Sequence, residues 1–246
     1  MALAACASPQ AQQRAAMANM AERVLERAGS IGDPGRVAAA DFAFARMARD
    51  EGQWTAFAAT AADGALIHGS GGTFPAAPWL AQQSNPAQAV VWGPNTVWSS
   101  CDGTLAVSFG RFEQPDGLVG NYVTVWELQP DRSYKWIYDM GGPDNPQPPP
   151  RTGPVIPEGE EAIIVPGLTS IEGRIADCAV PGEVLPEISV APLADGQSGG
   201  TVSADGTLRW TWTHSASGNR SVRVNWVRDG MVQEALAFTA PLPLAQ

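Results

Sequence analysis

Three side chains of this 246-residue sequence are candidates for acid–base chemistry. His68 ends the short apolar stretch Ala65-Leu66-Ile67 and precedes a Gly-rich turn. Imidazole titrates near neutrality, which suits a general acid or base. Asp139 lies at the end of the last strand of an expected meander, and Tyr122 can donate a hydrogen bond to a developing oxyanion. A dyad of Tyr122 with Asp139 or His68 suits proton abstraction next to a carbonyl. The bland alternative is a surface His, a turn-capping Asp and a packed Tyr.

Aromatic residues form the second candidate set. Trp54, Phe57, Trp79, Trp92, Trp98 and Trp126 are of the type that lines a pocket for an apolar ligand. A buried indole needs a partner for its N–H, so several of them imply polar spots in an apolar interior. Ordinary core is the competing reading for each. Gly196-Gln197-Ser198-Gly199-Gly200 satisfies the nucleophile-elbow pattern formally, but no apolar strand precedes it and no helix follows, so it reads as a loop. Only two His and three Cys are present, with no ligand spacing, so no metal site is expected. The single Lys, Lys135, follows no phosphate-cradling glycine loop, and no cofactor is expected.

Composition narrows the classes of partner. The formal charge is −10, and only 16% of residues are charged. Such a chain is a poor partner for a phosphate backbone, so no nucleic acid is expected. No apolar run reaches the ~18 residues of a membrane span. Leu3-Ala4-Ala5-Cys6 resembles a bacterial lipobox, followed by a polar tether at Ala7-Ser8-Pro9-Gln10. That resemblance implies lipidation of Cys6 and anchoring in the cell envelope, facing the periplasm. It also implies a start upstream of Met1, because only two residues precede the box; with Met1 as the true start, the expectation is cytoplasmic. Export would permit a disulfide between Cys101 and Cys178; two small buried thiols are the alternative.

These residues must be positioned by the following elements. Residues 1–10 read as the lipobox-like start and tether. Within 11–142, Met17, Met20, Ala21, Val24, Leu25 and Ala28 form one helical stripe. Asp33-Pro34 starts a second helix whose apolar face carries Val37, Ala40, Phe44 and Met47, and a short third one follows Gly52. Asp63-Gly64 is expected to close the helical part. Strands then follow at 65–68, 88–92, 96–100, 104–113, 120–129 and 133–140, joined by turn sequences such as Gly93-Pro94-Asn95 and Pro130-Asp131. Proline density makes 143–159 an extended linker. Residues 160–246 read as a small antiparallel all-β domain in which Leu208, Trp210 and Trp212 alternate with polar residues. The nine Trp divide six to three across that linker.

Helices followed by an antiparallel meander are the layout of the nuclear-transport-factor-2-like cone fold. Phe42 to Ala45 with Trp54, Phe57 and Ala62 to Ala65 resembles the helical half of SnoaL-like members. Asn121 to Asp139 resembles their final hairpin, with a tight turn after Gln129-Pro130-Asp131 and an aromatic-Lys-Trp strand after it. Within that superfold the chain resembles an often exported bacterial family of unknown function. The resemblance implies an α+β domain with a curved sheet enclosing an apolar pocket, and a homodimer through the open sheet face. It carries over no catalytic residue. The expected function is binding of a small apolar molecule or a protein partner, without catalysis. The alternative is a cofactor-independent lyase, isomerase or cyclase using His68, Tyr122 and Asp139.

Overall fold

The computed structural model describes residues 31–149, 170–179, 184, 186–188 and 196–240. The lipobox at Cys6, the first helical stripe and most of the Pro-rich linker lie outside these residues. Among the described residues, three helices and two sheets make an α+β fold, and those from Gly32 onward belong to one compact unit.

Helix α1, Pro34–Glu51, begins as the sequence dictates. Asp33 caps it, its Oδ1 accepting from Arg36 N at 3.1 Å, and Pro34 occupies a position needing no N–H. It stops at Gly52, whose φ of 112° favours glycine. Helix α2, Gln53–Thr60, has no capping side chain of its own. Asn85, from a distant loop, does that work: its Oδ1 accepts from Trp54 N at 2.7 Å and Thr55 N at 3.2 Å. A Cβ at Gly52 would meet the Asn85 side chain, so the glycine also makes room for the cap.

Strand β1, Ala61–Gly69, follows α2 directly. Asp63-Gly64 therefore does not close the helical part; it sits inside β1, where Gly64 takes φ 76° and the pairing register shifts. Next come β2, Gly72–Pro75, and the short helix α3, Ala76–Leu80. Strands β3, Val91–Ser99, β4, Leu105–Glu113, β5, Val119–Leu128, and β6, Tyr134–Pro143, form the antiparallel meander. Gly93-Pro94-Asn95 does not divide two strands. β3 runs through it with a register shift between Pro94 and Thr96. Proline is tolerated there because the outer neighbour, β7 (Glu172–Ile175), pairs only from Thr96 onward.

The first sheet is mixed rather than antiparallel. Its order is β2-β1-β6-β5-β4-β3-β7, with β1 parallel to β6 and β7 parallel to β3. β7 comes from the stretch that composition groups with the C-terminal strands, yet it edges the first sheet. The remaining strands, β8 (Gln197–Val202), β9 (Leu208–His214), β10 (Arg220–Arg228) and β11 (Met231–Ala240), form a four-stranded antiparallel sheet.

Both faces of the seven-stranded sheet are buried. Ala106, Trp126 and Trp136 pack under the helices with Val37 and Phe44. Trp98, Val107, Val125 and Tyr138 face the other way, onto Trp210, Trp212 and Trp226 of the second sheet. The tryptophans thus divide between two cores, but the sheet separates the cores, not the linker. Trp98 joins the C-terminal set because its face of β3 looks that way. The face opposite the helices, the open one in the dimer expectation, is covered by the chain's own second sheet.

A repeated turn joins the sheets. Ser100 to Leu105 and Ser203 to Leu208 share the pattern Ser-x-Asp-Gly-Thr-Leu. In each, the Asp Oδ1 collects the Ser hydroxyl (2.7 and 2.6 Å) and the Thr N–H (2.9 and 3.0 Å). The glycine sits at φ 70° or 75°. The turns then clasp each other reciprocally. Asp102 N donates to Asp205 Oδ2 at 2.8 Å, and Asp205 N donates to Asp102 Oδ2 at 3.0 Å. Cys101 N donates to Thr207 Oγ1 at 2.9 Å, and Ala204 N to Thr104 Oγ1 at 3.1 Å. A disulfide from Cys101 to Cys178 ties the same turn to the segment after β7, closing a separation of 77 residues.

Asp102→Ala and Asp205→Ala should each lower unfolding free energy by about 2–3 kcal/mol, because each strips acceptors from its own turn and from its partner's backbone. The double variant should cost less than the sum by about 1 kcal/mol, since the second substitution removes a turn already uncoupled. Urea denaturation of the four proteins measures this, and additive losses would show that the turns act independently.

Candidate functional site

The helix-side face of the sheet carries a polar cluster beneath an aromatic cavity. Strand parity decides its membership. On β5, Tyr122, Thr124 and Trp126 are two apart and share the helix side. On β6, Trp136 and Asp139 are three apart, so strict alternation would separate them. The register shifts between the Trp126–Trp136 and Val125–Tyr138 pairs, leaving Ile137 as an extra residue. This bulge brings both Trp136 and Asp139 to the helix side.

The cavity has a volume of about 270 Å³. Trp54 and Phe57 of α2, Trp79 of α3 and Trp92 of β3 contribute walls, with Tyr122 and Asp139 at its polar end. The aromatics brace one another edge to face: Trp54 and Trp79 lie 5.0 Å apart at 88°, and Phe57 and Trp92 lie 6.0 Å apart at 60°. The remote Asn85 cap fixes the start of α2 and with it Trp54.

Asp41, on α1, is the residue that sequence reading missed. It is completely buried. Tyr122 Oη donates to its Oδ2 at 2.9 Å, and Trp92 Nε1 donates to its Oδ1 at 3.0 Å. The signal was present: Asp41 falls between Val37 and Phe44, in the stripe that packs inward. Burial raises its pKa from 3.8 to about 6 against the pull of hydrogen bonds from Ser108, Tyr122 and Trp92. Burial, reinforced by Asp41, drives the Tyr122 hydroxyl well above its usual value, so Tyr122 is a fixed donor.

Asp139 differs from Asp41 in being half-buried and open to the cavity. Its Oδ1 accepts from Thr124 Oγ1 at 2.7 Å, and its Oδ2 has no hydrogen-bond partner among the described residues. Burial raises its pKa from 3.8 to about 7; the Thr124 bond lowers it and nearby Asp41 raises it. Two acids, one locked and one with a single oxygen unpartnered, and a phenol held on the first are what this arrangement offers for hydrogen bonding or proton exchange.

His68 does not join Tyr122 and Asp139. Ile67 pairs with Asp139 and lines the cavity, so the next residue along β1 points to the opposite face. His68 is buried between the sheets, with Nδ1 2.6 Å from Tyr138 Oη and Nε2 3.0 Å from His214 Nδ1. Burial, then the charge of Arg220, hold its pKa down to about 4. It is a neutral bridge, not a group open to the cavity. Two of the expected pocket aromatics also stand elsewhere. Trp98 packs between the sheets, and Trp126 lies in the helix-side core, its Nε1 donating to Ser108 Oγ at 3.0 Å. Gln197–Val202 is strand, so the elbow-like pentapeptide has no nucleophile geometry. Among the described residues no group of three or more His, Cys, Asp or Glu could hold a metal ion, and no helix is long and apolar enough to cross a membrane.

Comparison with protein-family models and with curated proteins gives no match.

Asp139→Asn tests the electrostatics. A carboxyl whose folded pKa is raised loses stability as pH climbs from 3.8 toward 7, and the full cost persists above. The variant should be more stable than the parent at pH 8 by about 1–3 kcal/mol and equal to it below pH 3.8. His68 acts with the opposite sign: its contribution is complete above pH 6.5 and is lost as pH falls toward 4. His68→Gln should therefore flatten the acid side of the stability profile, as read by urea denaturation across that range.

Proposed function

We propose that this chain binds a small, largely apolar molecule in the aromatic cavity, with Asp139 and Tyr122 recognising its one polar group. The observation that carries this reading is the cavity itself: interlocked indole and phenyl rings around a single free carboxyl oxygen. Concave apolar pockets with a few convergent polar groups and shifted pKa values are the usual form of small-molecule sites. The volume of about 270 Å³ favours a compact ligand.

The α+β order, with helices on one sheet face and a meander from β3 to β6, supports the cone-like, SnoaL-related reading of the helix-covered half. The Cys101–Cys178 disulfide supports an oxidising compartment, and so an exported protein; anchoring at Cys6 rests on the lipobox resemblance alone.

Uptake of the neutral fluorophore N-phenyl-1-naphthylamine tests the pocket. The expected result is saturable binding that weakens by at least about tenfold in Ile67→Trp, whose larger side chain fills the cavity. Absence of uptake by the intact chain, or equal uptake by the variant, would overturn the reading.

A second reading rests on Asp139. A carboxyl titrating near 7, with one oxygen free and open to the cavity, suits cofactor-independent proton transfer next to a carbonyl, while the Tyr122 proton stays with Asp41. Deuterium wash-in from D2O at the α-carbon of a bound aryl ketone checks it. Catalysed exchange abolished by Asp139→Asn would favour an enzyme; no exchange assigns binding alone.

A further inference from the structure

The charge pattern of the cavity narrows the ligand class, an inference that rests on the small-molecule reading above. Among the described lining residues there is no Lys, Arg or His. The ring systems of Trp54, Phe57, Trp79 and Trp92 contribute walls whose faces carry negative quadrupole potential, beside aliphatic residues such as Ile67 and Val90. Trp54 and Trp79 meet at 88°, making a corner rather than a stack. The polar end holds the Asp139 carboxyl, and a second carboxyl, Asp41, stands behind Tyr122. The Arg220 guanidinium belongs to the second sheet, where its Nη1 donates to the carbonyls of His68 and Gly141.

A carboxylate or phosphate ligand would face the Asp139 carboxyl with no cationic side chain in the described lining to pair it, only the neutral amides of Gln53 and Gln114. A wholly apolar ligand would cover Asp139 Oδ2 and leave it without a donor, which is costly for a buried acceptor. An ammonium group meets neither objection: it sits against ring faces by cation–π attraction and gives its N–H, or its charge, to the free carboxyl oxygen. We propose that the cavity is a site for a compact organic ammonium ion with an apolar body, held by Trp54, Trp79, Trp92 and Asp139.

Binding of the cation requires Asp139 as carboxylate, so a protonated Asp139 releases its proton to solvent when the ligand enters. The groups facing it are Asp41 from α1 and Tyr122 and Thr124 from β5. His68, Tyr138 and Arg220 lie across the sheet.

Two isosteric probes make the test: N,N-dimethylbenzylammonium and its neutral carbon analogue isobutylbenzene, followed by saturation-transfer NMR and calorimetry on the intact chain. At pH 8 the ammonium should bind at least about tenfold more tightly. Its affinity should fall as pH drops below 7, by up to about tenfold per pH unit, while that of isobutylbenzene stays level. Asp139→Asn, isosteric and without a charge, should erase the preference. The pH profile of the unaltered chain makes the same distinction without any variant. Equal binding of the two probes would overturn the ammonium assignment and leave the pocket reading standing. Binding of neither would overturn both.

Discussion

The seven-stranded sheet serves two interiors at once, and strand parity is the constraint on which the rest depends. Each central strand, β3 to β6, must send side chains both to the helices and to the second sheet, and both sets must suit their destination. Where sequence parity and destination disagree, a bulge absorbs the difference. The extra residue at Ile137 places Trp136 and Asp139 on one face, and the shift after Pro94 lets Trp92 and Val97 share the helix side. Without the first bulge the free carboxyl would point between the sheets and the cavity would have no charged group. The make-up of this site is therefore a consequence of strand register.

Covering the second face demands that the four-stranded sheet be held in one position. Apolar burial of Trp210, Trp212 and Trp226 supplies most of the drive, but such contact is not directional. Direction comes from the paired Ser-x-Asp-Gly-Thr-Leu turns, where each carboxylate completes its own turn and caps the other's backbone. The disulfide at Cys101 secures the same corner covalently. The His68–Tyr138–His214 contacts add a polar bridge within that interface, with His68 kept neutral by burial and by Arg220.

The cavity owes its character to unequal treatment of two aspartates. Asp41 is satisfied by several donors and serves to fix Tyr122 and Trp92. Asp139 keeps one oxygen free and holds a raised pKa that burdens the fold at neutral pH. Such a stability cost beside an open aromatic cavity is what the proposed binding role of Asp139 accounts for.

The sequence by itself determined the local elements: the Asp33-Pro34 helix start, the Gly52 stop, the alternation of β9 and β10, and the turns that begin with Asp102 and Asp205. These follow from short-range chemistry, in capping, positive φ and period-two burial. Trp54, Phe57, Trp79, Trp92, Tyr122 and Asp139 were legible as candidates because their types announce them. What only the tertiary structure decided was company. Parallel pairing of β1 with β6 turned His68 away from Asp139, and the sheet face assigned Trp98 to the inter-sheet core. Burial of α1 converted an ordinary helical acid, Asp41, into the anchor of the site. β7 crossed to the first sheet although its neighbours in sequence build the second. Pairing partners, bulges and depth are long-range properties, and no window of residues contains them.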